Sequence, residues 1–113
     1  MRTTFHLVPA EVWAARTPSA PYAAPSLEIE GFIHCTDGAR ELMATADRYY
    51  RDDPRPYIAI TIDLERAGSP WRIEDPAGIY PHVYGPIERK AIVAVQHVRR
   101  AADGRFTGLG GSV

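Results

Sequence analysis

The chain of 113 residues has little of three things: cysteine, net charge and long apolar runs. Its one cysteine, Cys35, excludes an internal disulfide and a cysteine-rich zinc site. A formal net charge of -1 gives no overall basic field, so nucleic acid is an unexpected partner, although a local basic patch leaves it open. No segment approaches the roughly 18 apolar residues of a membrane helix, and the first residues lack the apolar run of a signal peptide. We therefore expect a cytoplasmic protein with no membrane partner.

What the chain does contain is an ordinary globular composition, with 45% hydrophobic and 24% charged residues. A chain of this length corresponds to one domain with one core. We assign residues 1–100 to a single α+β domain. Residues 101–113 are rich in glycine, and we predict a flexible C-terminal tail there. The glycines concerned are Gly104, Gly108, Gly110 and Gly111.

Alternating apolar residues predict strands, most clearly at 57–64, where every second side chain is Ile or Leu. The other predicted strands lie at 3–8, 32–36, 71–74, 80–84 and 90–98. Asp37 is expected to cap the main helix, which has a 3.6-residue apolar period, and shorter helical segments are expected after Pro9 and Ser26. Hairpin-length connections in the second half predict a small, curved, mainly antiparallel (split) sheet with two or three short helices packed on it.

Three histidines, His6, His34 and His82, lie on predicted strands beside apolar residues. Because side chains alternate across a strand, each histidine lies on the face opposite its apolar neighbours, which for His6 are Phe5 and Leu7. If these strands are adjacent and the apolar neighbours enter the core, the imidazoles converge on one cleft, and we predict this convergence. The same faces add Thr36, Tyr80 and Tyr84 to the lining. The alternative is three unrelated histidines, each bonded to a backbone carbonyl or to water.

Two other residues with reactive side chains are given no catalytic role. His97 lies near the end of the last predicted strand and is interpreted as a solvated edge residue. Cys35 is adjacent to His34 on one strand, so the two side chains point to opposite faces and cannot form a thiol–imidazole nucleophile. Cys35 is therefore interpreted as a small buried hydrophobic residue.

The start of the main helix suggests an anion site. Free backbone N–H groups and the positive end of the helix dipole follow directly after the strand that carries His34, and Gly38 lets a phosphate approach the backbone. The alternative is a plain helix start that Asp37 caps. Further along the helix, Tyr49 and Tyr50 are interpreted as packing residues. Arg48, Arg51 and Arg55 are interpreted as a solvated helix end.

Three motifs resemble a bacterial family of uncharacterised proteins, domain of unknown function 952. The motifs are His6-Leu7-Val8-Pro9, the run from Ser26 to Thr36 (SLEIEGFIHCT) and the run from Pro81 to Pro86 (PHVYGP). Together they extend over roughly residues 3–98. This resemblance implies no function, because the family has none established.

A second resemblance is to the ADP-ribosyltransferase superfamily, and within it to the RNA 2'-phosphotransferases. It depends on a first-strand histidine, a turn ending in Glu-Gly, and the stretch His34-Cys35-Thr36, which is similar to a His-Leu-Ser-like stretch of that branch. The resemblance implies a split, curved sheet that binds NAD in a cleft. By it, His6 holds ribose hydroxyls, and His34 with Thr36 lines the nicotinamide side or meets an acceptor phosphate. His82 stands near the position where many members place a glutamate.

From this resemblance we predict a domain that binds NAD or ADP-ribose, with NAD as substrate or ligand. His34 and His82 are the candidate catalytic residues, and His6, Thr36, Gly38 and Tyr84 the candidate cofactor-binding residues. An imidazole cannot stabilise the oxocarbenium-like charge that a glutamate would stabilise. Protein ADP-ribosylation is therefore disfavoured, and a phosphorylated acceptor is favoured.

Two rival functions remain open. The first is a non-catalytic module that binds a nucleotide or another small ligand in the same cleft. The second is a zinc hydrolase in which the three histidines hold the metal and leave a position for water. No HxH or HxxxH spacing favours zinc, so we predict no metal ligands and no tightly bound zinc.

Overall fold

The computed structural model describes all 113 residues, and its elements alternate between strands and short helices. The strands are β1 (Thr3–Pro9), β2 (Ile33–His34), β3 (Tyr57–Asp63), β4 (Trp71–Ile73), β5 (Pro81–Val83), β6 (Ile92–Arg100) and β7 (Phe106–Ser112). The helices are α1 (Ala10–Ala14), α2 (Pro25–Glu30) and α3 (Ala39–Tyr50), with single 3-10 turns at Leu64–Arg66 and Arg89–Ala91. No helix is long and apolar enough to cross a membrane.

The strands form two antiparallel sheets. The large sheet has the order β1-β3-β6-β7, and the small sheet has the order β2-β5-β4. A single bridge between Phe5 and Thr36 connects the edge of the large sheet to the segment that follows β2. The predicted α+β class, with antiparallel strands and three helices, is therefore confirmed.

Both faces of the large sheet are covered. On one face, Val8, Ile58 and Ile60 pack against Ile33 and Val83 of the small sheet in the main core. On the other face, a second cluster joins Tyr57 and Phe106 of the sheet to Ala46 of α3, with Leu7 packed against it.

His6 lies on the first of these faces, because it pairs with Ile60 in the β1–β3 register. It is only 5% exposed, whereas Phe5 and Leu7 are half-buried on the other face. Leu7 packs against the second cluster, but the face that carries His6 is covered as well, so the expectation that His6 would be left on an open cleft face was wrong. When both faces of a sheet are covered, neither side of a strand faces solvent, so the alternation of side chains alone could not assign the faces.

The glycine-rich end of the chain is the edge strand β7, which corrects the predicted flexible tail at 101–113. β7 pairs with β6 from Arg100↔Phe106 to Gln96↔Ser112, and Phe106 is buried. A Cβ atom on Gly110 would lie 3.3 Å from the carbonyl oxygen of His97, so glycine permits a close approach to β6. The strand was not predicted because glycine has a low strand propensity. Its pairing with β6 and the burial of Phe106 stabilise it.

Contacts outside helix α3 fix both of its ends. At its start, Gly38 occupies the N-cap position with a φ of 87°, and no side chain caps the helix. The Asp37 carboxylate accepts two bonds from Arg2, at 3.0 and 2.6 Å, so its predicted capping role was wrong. Beyond the helix end, the Arg100 guanidinium donates to the carbonyls of Arg51 and Arg55, each at 3.0 Å. These bonds satisfy carbonyls that lie beyond the reach of the helix ladder.

Candidate functional site

An open cleft of about 610 Å³ lies where the small sheet meets the C-terminal half of α3. Both β2 and β5 turn one face towards it, because their other face, with Ile33 and Val83, is buried in the main core. The residues that line it are Glu30, His34, Cys35, Thr36, Thr45, Arg48, Tyr49, Tyr50, Asp75, Tyr80 and His82. Its volume is in the range of pockets that hold small-molecule ligands.

His34 and His82 form the centre of this cleft. They are direct cross-strand partners in the β2–β5 pair, and their ring centroids are 5.6 Å apart in an edge-to-face arrangement. The Phe32 ring stacks on His82 with a centroid distance of 4.1 Å and meets His34 at 4.7 Å. This packing orients both imidazoles without burying them, since 52% of the His34 side chain and 21% of the His82 side chain are exposed.

Each of the two imidazoles has a carboxylate partner. His34 Nε2 lies 2.8 Å from Oε2 of Glu30, four residues earlier, and His82 Nδ1 lies 3.4 Å from Glu74 Oε1. The Tyr84 hydroxyl donates to Glu74, and this bond lowers the pKa of the carboxyl group. A carboxylate only accepts hydrogen bonds, so in the neutral form the proton resides on the nitrogen that faces it. The other nitrogen of each ring, Nδ1 of His34 and Nε2 of His82, then carries a free lone pair.

Arg48 is the arginine that lines the cleft. Its guanidinium lies 5.8 Å from the centroid of the Tyr49 ring, and the neighbouring phenols of Tyr80 and Tyr49 raise its pKa. The Tyr80 hydroxyl also lies 3.1 Å from Thr45 Oγ1. Since phenols are neutral at physiological pH, the charge of Arg48 is available to an anion.

A smaller compartment of about 340 Å³ adjoins the cleft, and Glu30, His34 and Tyr50 line both. Its other walls are mostly apolar and come from β1, α1 and the start of α2, with Arg55 just before β3 and Tyr57 at the beginning of β3. Ser26 lines this compartment, and its buried hydroxyl has no hydrogen-bond partner. A helical segment was expected after Ser26, whereas α2 begins one residue before it, at Pro25, with Ala24 as its N-cap residue.

His6 forms part of the wall of the smaller compartment and has both ring nitrogens bonded. Nδ1 donates to the His34 carbonyl at 2.7 Å, and Nε2 lies 2.8 Å from the Tyr22 hydroxyl. Because the carbonyl only accepts, Nε2 is the unprotonated nitrogen of the neutral ring and accepts from Tyr22. Burial lowers the pKa of His6 to about 4, so the ring is neutral at physiological pH. His6 therefore positions the His34 backbone from beneath.

The three histidines do not form a metal site. Both His6 nitrogens are engaged, and no group of three or more His, Cys, Asp or Glu side chains has the geometry to hold a metal ion. The rival hypothesis of a three-histidine zinc hydrolase therefore has no ligand set in this structure.

The structure separates the other residues that were predicted to bind the ligand. Thr36 lines the cleft beside His34. Tyr84 contacts the Phe32 ring at a centroid distance of 5.6 Å and borders neither compartment. Gly38 is exposed at the start of α3, and the cleft is lined by the other half of that helix, so the predicted anion site at the helix start does not join it. Cys35 is buried, and burial raises the pKa of its thiol, which agrees with its interpretation as a hydrophobic residue.

Sequence reasoning missed the two carboxylates, Glu30 and Glu74, and the cationic and aromatic wall of α3. The Glu30–His34 spacing of four residues carried a signal, but it crosses a helix end and Gly31 and therefore fits no regular periodicity. Glu74 reaches His82 only because β4 pairs with β5. Arg48 and Tyr49 face the cleft because of where α3 packs in the fold, which the sequence pattern does not specify.

These features define an antiparallel α+β domain with an open histidine cleft on its small sheet. The chain belongs to the family of proteins of unknown function DUF952, whose model matches residues 7–95. No curated protein matches the chain.

The fold is similar to that of a solved bacterial protein. The crystal structure of protein CC0527 from Caulobacter crescentus matches with a TM-score of 0.74 and 18% sequence identity, over 93% of each chain. A double mutant of the same protein matches equally well. At this identity the similarity supports the fold alone.

Proposed function

We propose that the cleft binds NAD or another ligand that contains ADP-ribose, in a fold of the ADP-ribosyltransferase type. The observation that carries this proposal is the combination, in one cleft, of an arginine with neutral neighbours, exposed aromatic rings and two imidazoles. The adjoining compartments, of about 610 and 340 Å³, provide an elongated space for a ligand with two ring systems joined by phosphates.

Arg48 is the proposed partner of the pyrophosphate. A guanidinium binds phosphate oxygens through charge-assisted hydrogen bonds, and the phenols beside Arg48 do not neutralise it. Glu30 and Asp75, the two acidic residues of the cleft, are already engaged. Glu30 pairs with His34, and Asp75 accepts the backbone N–H groups of Ile79 and Tyr80 at 3.1 and 3.0 Å.

Tyr49 is the proposed stacking surface for a base. Its ring is 68% exposed and lies next to Arg48 on α3. A base on such a ring gains about 1–3 kcal/mol.

His34, His82 and Thr36 are the proposed partners of the ribose hydroxyls between the two ends of the ligand. His6 acts as a positioning residue through the His34 carbonyl rather than as a direct ribose ligand, because both its nitrogens are bonded. Gly38 and Tyr84 lie outside the cleft and have no proposed contact with the ligand.

Titration calorimetry with NAD and with ADP-ribose tests this proposal on the wild type, Arg48→Ala and Arg40→Ala. Arg40 is the matched control because it lies on the same helix, is exposed and borders neither compartment. Loss of a charged hydrogen bond of about 1.5–3 kcal/mol corresponds to roughly 10- to 100-fold weaker binding for Arg48→Ala. Arg40→Ala is expected to bind as the wild type does. Absence of binding to the wild type at millimolar ligand, or equal weakening in both variants, would overturn the proposal.

A further inference from the structure

Within the function proposed above, we infer that His34, held by Glu30, is a general base for a hydroxyl nucleophile. The nucleophile is water or an alcohol, and it attacks the ribose carbon that carries nicotinamide in bound NAD. Two observations support this role: the short contact of His34 with a carboxylate and its place at the junction of the two compartments.

The Glu30 contact determines which nitrogen of His34 can accept a proton. The Nε2 proton points at Glu30 Oε2 at 2.8 Å, so the Nδ1 lone pair is free. When Nδ1 takes a proton, the imidazolium is stabilised by the adjacent carboxylate, as in other hydrolases in which a carboxylate orients a histidine base. Glu30 is then a positioning residue, since it acts through His34.

His34 suits this role better than His82. His34 is the one histidine that borders both compartments, whereas His82 borders the larger compartment alone. The contact of His82 with its carboxylate is longer, 3.4 Å, and its ring is stacked on Phe32. The middle part of a ligand that spans both compartments therefore lies near His34.

The reaction balances without a metal or a redox partner. The oxygen of the nucleophile forms a bond to the ribose carbon, and the bond from that carbon to the nicotinamide nitrogen breaks. Nicotinamide leaves as a neutral molecule with the electron pair of that bond. The proton of the nucleophile goes to His34 Nδ1 and then to solvent. With water the products are ADP-ribose, nicotinamide and a proton.

The presence of a general base distinguishes between an anionic acceptor and a neutral hydroxyl acceptor. A phosphate or carboxylate acceptor is already an anion and gains little from a general base, whereas water or an alcohol must lose a proton as it attacks. The Glu30–His34 pair therefore favours a neutral hydroxyl over the phosphorylated acceptor that the sequence resemblance implies.

The experiment measures nicotinamide release from NAD by the wild type, His34→Ala, Glu30→Gln and His97→Ala, with NAD affinity measured in parallel by calorimetry. General base catalysis contributes about 10²–10⁴-fold, so His34→Ala is expected to lower kcat by about 100-fold or more. Glu30→Gln is expected to lower kcat by about tenfold, with KM changed by less than about threefold. His97→Ala is expected to match the wild type, because His97 is exposed and borders neither compartment.

The pH profile and the products separate a base from a structural residue. The wild-type kcat is expected to rise with pH through one titration, and His34→Ala is expected to lose this rise. The titratable side chains that face the pair in the two compartments are those of His6, Cys35, Arg48, Tyr49, Tyr50, Arg55, Tyr57, Asp75, Tyr80 and His82. Added methanol is expected to divert part of the product to methyl ADP-ribose, whereas added inorganic phosphate is expected to form no ADP-ribose phosphate.

The outcomes are distinct from those of the binding proposal. NAD that binds without release of nicotinamide, or release that His34→Ala leaves unchanged, would overturn the general-base role and leave the binding function intact. A phosphate adduct as the main product would overturn the hydroxyl acceptor. Absence of NAD binding would remove both proposals together. Because His34 is half-exposed, folding of its variant is expected, and His34→Gln provides a second variant of similar size.

Discussion

The same local sequence pattern places its histidine in opposite environments in the two sheets. In each, a histidine follows an apolar neighbour on a strand. In the large sheet both faces are covered, and His6 is buried with both nitrogens bonded. In the small sheet one face is open, and His34 and His82 each keep a nitrogen directed away from their carboxylate partners. The role of a strand histidine therefore depends on what covers the strand.

Because of this difference, we expect the large sheet to determine the stability of the fold and the open face of the small sheet to determine ligand binding. Substitutions in the large sheet are expected to cost stability because they disturb buried contacts. Substitutions on the open face of the small sheet are expected to cost little stability and to change ligand binding. The predictions below test this division in order of decreasing effect on stability.

The largest effect is expected at Phe106 on the α3 side of the large sheet. Phe106 is 4% exposed, with its ring edge-to-face with Tyr57 at 5.6 Å and the Arg100 guanidinium 4.2 Å from its centroid. Phe106→Ala is expected to lower the free energy of unfolding by about 3–5 kcal/mol. Urea unfolding measures this, with Thr107→Ala, at an exposed neighbouring position, as the control. A loss below about 1 kcal/mol would mean that the C-terminal segment is the flexible tail that its glycines suggest.

The next effect is expected at His6 on the other face. His6→Ala leaves the Tyr22 hydroxyl and the His34 carbonyl without their partner, and each unsatisfied buried group costs about 1–3 kcal/mol. Because the contact with the His34 carbonyl is only part-buried, its loss falls at the low end of this range, and we expect a total loss of about 2–4 kcal/mol in urea unfolding. His97→Ala is the matched control and is expected to change stability by less than about 0.5 kcal/mol. Equal losses in the two variants would contradict the difference in burial on which the comparison rests.

Acid should destabilise the protein through His6. The pKa of His6 is about 4 in the folded protein and about 6.5 in the unfolded chain, so between these values the unfolded state binds the extra proton. The free energy of unfolding is therefore expected to fall as the pH drops from about 6.5 to 4, by about 3 kcal/mol in total from this group. Urea unfolding of the wild type and His6→Gln across this range isolates the contribution. An identical pH dependence in the two proteins would show that His6 is not buried as a neutral ring.

The smallest stability effects are expected on the open face. The pair of His34 with Glu30 is about half-exposed, and exposed ion pairs contribute about 0–1 kcal/mol. His34→Ala is therefore expected to change the free energy of unfolding by less than about 1 kcal/mol. Thermal or urea unfolding checks this. A loss comparable with that of His6→Ala would mean that the small sheet belongs to the same cooperative core at this position.

The sequence was most informative where periodicity was strong. The alternation through β3 and the 3.6-residue pattern of α3 predicted both elements to within a few residues, and the shared pattern around His34 and His82 predicted their common face. The role of His6 was not predictable in this way, because its environment is created by Tyr22, which lies in a proline-containing loop and pairs with Ile87.

The unpredicted parts of the site arise from tertiary pairing. Glu74 reaches His82 across a strand pair, and Arg48 reaches the cleft through the placement of α3, which Arg2 and Arg100 hold at its ends. Local pattern carries no information on such long-range contacts. The strand β7 was missed for the same reason, because its pairing with β6 overrides the low strand propensity of glycine.

The central claim, that the open face of the small sheet is the ligand site, can be tested on the four histidines of the chain at once. Proton NMR resolves the imidazole C–H signals, which His→Gln variants assign, during a titration with ADP-ribose. We expect progressive shifts of the His34 and His82 signals, while the signal of the exposed His97 stays in place. Unmoved His34 and His82 signals at millimolar ADP-ribose, or a His97 shift of equal size, would contradict it.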